Sequence, residues 1–264
     1  MNVPASSGGS VPSGNDMAQH GPATDSGGTP WLGRELTGTG FEGDLGDVEP
    51  DLLAALDDPQ DDAVLMAALG RARLLVPIVA VPRTADDSDQ LTAERPADMA
   101  VVTLTGSDGR RAFPVFSSLA TLSAWDGAAR PSPVTGSRAA QGAVSEGCDV
   151  MLLDCGSPHQ RVLRPSMVWA LAQQRDWLAA HADPFVAQAL IRATADEQDV
   201  IDCVGEADPA GAGILRVVLG LRPGLDAYGV QALATRIAEQ IATDGEARAR
   251  IDGLSFTVRK ACVW

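Results

Sequence analysis

The spacing of apolar residues changes its period along this chain, and each change marks an element. Residues 1–30 are rich in Gly, Ser, Pro and Thr and have almost nothing to bury. Ordering them would cost more entropy than their contacts return, so the pattern predicts a disordered tail. In 31–49, "WLGRELTGTGFEGDLGDVE", the residues Trp31, Leu32, Leu36, Phe41 and Leu45 recur among glycines without a regular period. Such a segment predicts an arm that docks on a folded body or a partner. From Pro50 a helical spacing sets in. "DLLAALDD" and "DDAVLMAALGRAR" read as two short helices separated at Pro59. Asp61 and Asp62 suit the second helix's N-terminus, and Arg71 and Arg73 its C-terminus.

"LLVPIVAVP" (74–82) is a continuous apolar run and predicts a buried strand. "DMAVVTLTGSDGRRAFPVFSS" predicts a β-hairpin with strands near 99–105 and 111–117, joined by the polar "GSDG". Pro114 lies inside the second strand, which suggests an edge. Residues 117–125 begin with capping serines and predict a helix. The segment 127–138, with two prolines and two glycines, reads as a loop before a small-residue helix to about 145. "CDVMLLD" is a strand, "CGSPHQR" a turn, and 165–180 a helix with Pro165 in its first turn.

A second unit follows. The predicted order is a helix at 184–195, strands at 199–208 and 213–223, a helix at 226–244 and a strand at 254–263. The long helix places Val230, Leu233, Ala234, Ile237 and Ile241 on one face. The fold class is therefore α/β (α+β): a disordered tail 1–30, an arm 31–49, a mixed α/β domain 50–180 and a small α+β sandwich 181–264 with helices on one face of a short sheet.

Composition narrows the functions. The formal net charge is −15, with seven acids and one base in residues 1–50. A surface of this sign repels phosphate backbones and anionic membranes, so neither nucleic acid nor membrane is expected as a partner. Four cysteines in 264 residues are not a disulfide scaffold. The N-terminus has no basic start or apolar h-region, and no apolar run approaches a membrane span, so a cytoplasmic protein is expected.

The stretch "EGCDVMLLDCGSPHQR" (146–161) concentrates the candidate chemistry. Cys148 and Cys155 are seven apart and Asp149 and Asp154 five apart. In one strand, odd separations point to opposite faces, so neither pair converges. Cys155 and His159 alone are half of a zinc site, and no paired spacing supplies the rest, so no metal and no cofactor is expected. A thiol enzyme or redox sensor centred on Cys155 and His159 is one alternative, since a nucleophile needs a base within reach. An anion-binding regulator using Arg130, Arg138, Arg161 and Arg164, which flank nearby loops, is another. The apolar anchors Phe113, Phe116 and Trp125 make a third feature: on an edge strand they would accept a peptide by β-augmentation. The candidate contact residues are thus Trp31, Phe41, Phe116, Trp125, Cys155, His159 and Arg161.

Three stretches carry a family likeness: "WLGRELTGTGFEGDLGD", then "ALGRARLLVPIVAV" leading to "MAVVTLTGSDGRRAFPVFSSLATLSAW", and "CDVMLLDCGSPHQRVLRPSMVWALA". Over residues 31 to about 180 the chain resembles actinobacterial SseB-family proteins, which have an SseB N-terminal domain, often followed by a smaller C-terminal one. The family is named from a serine-sensitivity phenotype that defines no reaction. Its members often carry Asn-Pro-Gly where this chain has Asp154-Cys155-Gly156, which argues against a required role for Cys155. The resemblance implies an α/β domain and brings no enzymatic activity, cofactor or catalytic residue. The leading expectation is a non-enzymatic protein acting through protein or small-ligand contacts.

Overall fold

The computed structural model describes residues 40–41, 43–58, 61–81 and 98–260; the expected tail, Trp31 and Cys262 lie outside them. Asp44–Trp264 forms one compact unit. Its first half contains α1 (Pro50–Asp57), α2 (Asp62–Arg71), β1 (Arg73–Val81), β2 (Asp98–Val101), β3 (Leu104–Thr105), β4 (Arg111–Val115), α3 (Leu119–Trp125), β5 (Arg130–Thr135), α4 (Gly136–Ser145), β6 (Val150–Leu153), β7 (Arg161–Leu163) and α5 (Pro165–Ala172). Strand β1 runs antiparallel between β2 and β5, and β4 lies between β3 and β6 in the order β3–β4–β6–β7. Strands β4 and β6 are parallel. The two groups meet where Leu75 and Phe116 exchange backbone hydrogen bonds of 2.8 and 2.9 Å.

Strand alternation decides which face each core residue serves. Leu74 and Val76 of β1, with Phe113 and Val115 of β4, join Met151, Leu153 and the buried sides of α1, α2, α4 and α5 in the main core. Leu75 and Phe116 point to the other face, where Leu122 of α3 covers them. Helix α3 starts as its sequence predicts: Ser118 and Thr121 form a reciprocal capping box.

Four local expectations change. The hairpin is confined to β3 and β4, because β2 leaves to pair with β1 at Ile78–Val81. Strand β4 is interior, not an edge. Phe116 bonds through its backbone toward β1, so by alternation Pro114 faces the same side, between the β3 pairs at Arg111 and Ala112 and the Leu75 bridge. The ring sits in a gap where no ladder donor is required. The loop expected at 127–138 holds strand β5, whose Pro131 and Pro133 are tolerated because it lies on the sheet edge. Helix α5 stops at Ala172. Arg175 N–H donates to Ala170 O and Gln174 N–H to Leu171 O, with Gln174 at φ +54°, a Schellman ending with glutamine in the usual glycine position.

The second half comprises a 3₁₀ turn (Ala180–Ala182), α6 (Pro184–Thr194), β8 (Val200–Ala207), β9 (Ile214–Leu221), α7 (Ala227–Thr243), α8 (Gly245–Arg248) and β10 (Gly253–Lys260). The sheet order is β10–β9–β8, with β8 antiparallel and β10 parallel to β9. Leu233, Ala234, Ile237 and Ile241 are buried along α7, as the spacing predicts. Leu233, Ile237 and Ile241 pack with Val186 and Leu190 of α6 on Leu215, Val217 and Leu219 of β9. We refer to the two cores and their elements as the N-lobe and C-lobe. On the uncovered face of the C-lobe sheet, Arg259 of β10 pairs with Asp202 of β8 across Gly220 of β9. A Cβ at Gly220 would overlap the Asp202 carboxylate, so glycine lets the pair close over the central strand. No helix among the described residues is long and apolar enough to cross a membrane.

Candidate functional site

Two places gather polar side chains. The first lies at the carboxyl ends of the parallel strands β4 and β6, where open α/β sheets commonly bind ligands. Asp154 is 1% exposed and sits at φ +50° at the end of β6. Its carboxylate accepts from Ser117 N–H at 2.8 Å and Ser117 Oγ at 2.7 Å. The Ser117 carbonyl in turn accepts from Arg73 Nη1 at 2.9 Å. Arg73 is 5% exposed and grips the described end of the arm: Nε lies 2.6 Å from Asp44 Oδ2, and Nη2 donates to Asp47 O at 2.5 Å. Its backbone N–H donates to Glu49 Oε1 at 2.7 Å.

Here the sequence reading needs correcting. Arg73 does not serve the C-terminus of α2; it opens β1 and is buried. The expected anchor Leu45 is 84% exposed; acids hold segment 44–49, together with Val48, which packs against the main core. Gly46, at φ +85°, gives the segment the turn that brings its carbonyl to Leu119 N–H at 2.8 Å.

The expected chemistry around this network does not assemble. Cys155 packs against the Phe116 cluster, and burial pushes its thiol pKa up. A reactive thiol needs the opposite shift. His159 turns away to Asp57, with Nδ1 at 3.6 Å from Oδ1. Burial likewise raises the thiols of Cys148 and Cys203, the latter to about 11 with Asp202 adding to it. Phe116 is fully buried and stacks on half-buried Trp125 at 5.2 Å between centroids, so it is core and presents no contact surface. Phe41 is partly exposed.

Nor do the four arginines converge. Arg130 begins β5, on the edge of one strand group, Arg161 begins β7, on the edge of the other, and Arg138 is exposed on the first turn of α4. Arg161 donates to Leu56 O at 2.6 Å and so closes the end of α1. Arg164 lines a cavity.

That cavity is the second place, at the junction of the lobes. Arg164, the N-cap of α5, donates through Nη2 to Asp62 at 2.8 Å and through Nε to Asp252 at 3.0 Å. Asp252, just before β10, also accepts from Ser166 N–H at 2.7 Å and Ser166 Oγ at 2.8 Å. Ser166 Oγ accepts from Trp177 Nε1 at 3.0 Å, and the Arg164 guanidinium lies 5.7 Å from the Trp177 ring centre. Beside this latch is a cavity of about 190 Å³, lined from the N-lobe by Arg164, Ser166 and Trp177 and from the C-lobe by His181, Asp208 and Ile214. Asp208 is held below the usual carboxylate range by the Ser255 hydroxyl and then by Ala210 N–H. The sequence shows Asp62 only as an acid at the start of α2, not that it faces Arg164. Ser166, Trp177 and Asp252 are not visible there either, because nothing in the spacing connects Ser166 with Asp252, 86 residues on.

Among the described residues no group of three or more His, Cys, Asp or Glu is placed to hold a metal ion. Residues 51–170 match the family model of the SseB protein N-terminal domain. That segment contains the junction residues Asp62, Arg164 and Ser166 and ends before Trp177. No curated protein and no solved structure matches the chain.

Proposed function

We propose that this chain is a non-enzymatic SseB-family protein, with an SseB-type N-lobe and a smaller C-terminal partner lobe, that works by binding a small molecule at the lobe junction. The actinobacterial likeness of its sequence and a cytoplasmic setting, which suits the free thiols Cys148, Cys155 and Cys203, belong to the same reading. The observation that carries it is the cavity: it combines room, an aromatic wall and hydrogen-bonding groups from two lobes.

The size and charge of the cavity set the ligand class. A cavity of roughly 150 Å³ holds a molecule the size of benzene, so this one suits about six to eight heavy atoms. Arg164 is shared by Asp62 and Asp252, so the trio keeps one net negative charge and offers an anion no unpaired cation. An anionic ligand would have to displace one of these part-buried carboxylates, which is costly. A neutral molecule with a flat or apolar face toward Trp177 and hydroxyl or amide groups toward Ser166 and Asp208 fits without that loss.

The test is thermal denaturation of the full chain with a panel of neutral polyols, amides and small heterocycles, alongside carboxylates and amines of matched size. A neutral compound should raise the midpoint by a few degrees in the wild type and by clearly less in Ala180→Leu, since Ala180 also lines the cavity and the larger side chain narrows it. Stabilisation by carboxylates alone, or equal stabilisation of both proteins, would refute this reading.

A further inference from the structure

The C-lobe sheet ends in β10, an eight-residue strand paired to β9 in unbroken register from Gly253 to Lys260. Among the described residues its other edge bonds to nothing. An uninterrupted free edge is a template for another strand, and proteins usually blunt it. The other outer strands among the described residues are short or interrupted. Strands β2, β3 and β7 have four, two and three residues, β5 carries Pro131 and Pro133, and β8 is broken by a register shift at Ile201. Strand β10 has neither proline nor bulge.

Its side chains add to the contrast. On the uncovered face Ser255 bonds inward to Asp208 and Arg259 inward to Asp202, so these polar groups lie over their own sheet rather than across the free edge. On the helix-side face Leu254 and Phe256 are only partly buried against the C-lobe core, and Val258 is 45% exposed.

We propose that β10 pairs antiparallel with β10 of a second copy, across a two-fold axis at Phe256, joining two three-stranded sheets into one of six. The register follows from the sequence. Directly opposed residues in an antiparallel pair share a face, so the residue on the axis faces itself and positions equally far from it pair. With Phe256 on the axis, Leu254 opposes Val258 twice, Ser255 opposes Thr257, and Asp252 falls opposite Lys260. Every apolar residue then meets an apolar one. Moving the axis to Thr257 sets Leu254 against Lys260, and moving it to Ser255 sets Val258 against Asp252. The strand is self-complementary in one register only, which is why a second copy suits it better than an arbitrary peptide. An isologous contact of this kind closes as a dimer and leaves no sticky end.

Sedimentation velocity of the full chain over a wide concentration range tests the pairing. A contact of eight residues per side is small among specific interfaces, so dissociation constants in roughly the micromolar to hundred-micromolar range are expected. Val258→Lys places a cation opposite Leu254 of the second copy and should weaken the dimer at least tenfold. Val258 is exposed in one copy, so the variant's thermal midpoint at monomeric concentration should match the wild type. Ile201→Lys, on the outer strand β8, should leave dimerisation unchanged. A wild type that stays monomeric up to about a millimolar overturns the proposal and leaves the edge open to a different strand. A dimer that Val258→Lys does not weaken, or that Ile201→Lys weakens as much, overturns it as well.

Discussion

The strand-end network and the lobe junction use the same parts to opposite effect. Each has an arginine, buried at the strand ends and partly exposed at the junction, a serine that both donates and accepts, and an aspartate that accepts from that serine's N–H and hydroxyl. At the strand ends the groups close on one another: Arg73 grips Asp44 and Asp47, and Asp154 is filled by Ser117. At the junction the same trio stands beside a cavity of about 190 Å³ with Trp177 as one wall. The difference teaches that a cluster of polar residues at a favoured place in an α/β sheet is not by itself a site. What matters is whether the cluster leaves space beside it. The first cluster fixes the fold; the second fixes the fold around a gap.

Substitutions should separate the two regions, beginning with the largest effect. Arg73→Met removes the donors to the Ser117 and Asp47 carbonyls and the partner of the part-exposed Asp44 carboxylate. Hydrogen bonds to a charged group contribute about 1.5–3 kcal/mol each, so urea unfolding should show a loss of about 3–5 kcal/mol. Asp154→Ala leaves the Ser117 donors buried without acceptors and should cost about 3 kcal/mol. Asp154→Asn, which keeps one acceptor and tolerates the positive φ, should cost clearly less. If both replacements were harmless, the network would be ornamental and the contrast with the junction would fail.

Junction variants should act more weakly on stability and more strongly on ligand response. Asp252→Ala removes the acceptor for Arg164 and Ser166, and about 2 kcal/mol should be lost. Limited proteolysis should then cut the 173–179 connection between the lobes faster than in the wild type. Trp177→Phe deletes one hydrogen bond to Ser166 while keeping the aromatic wall, at about 1 kcal/mol. Cleavage at 173–179 that is no faster in Asp252→Ala would show that the latch does not hold the lobes together.

Acid sharpens the comparison from the C-lobe side. Arg236 holds Glu197, and Arg192 holds Asp244, below the usual carboxylate range, chiefly through hydrogen bonds. A carboxylate whose folded pKa is depressed contributes stability that is fully present above its unfolded pKa, near about 4, and is lost as pH falls through the folded value. Both pairs are at the surface, so the contribution is small. Stability of the wild type should therefore decline below about pH 4, and Glu197→Gln should flatten that decline slightly. An unchanged slope would remove this pair from the acid response.

The same physics explains which parts of the molecule were legible in the sequence. Periodicity located α2, β1, α6, β9 and α7, because each buries one continuous face. Proline misled in both directions. Pro114 suggested an edge, yet it lies on an interior strand at a gap between two partners. Pro131 and Pro133 suggested a loop, yet they lie on a true edge strand. Proline reports a missing donor, and only the neighbouring strands decide whether that donor was wanted. The end of α5 was hidden because Gln174 takes the left-handed position that glycine usually announces. The stretch around Cys155 was correctly read as a strand and a turn. The junction was not legible, since Asp62, Ser166, Trp177 and Asp252 meet only through the packing of one lobe on the other.

The most direct test is crystallographic soaking of the full chain with neutral polar fragments of about six to eight heavy atoms, the size that the junction cavity suits. The account predicts fragment density against Trp177 and Ser166 at the lobe junction, and none at the closed Ser117–Asp154 network. Fragments gathered around Asp154 and Cys155, with only water at the junction, would contradict it.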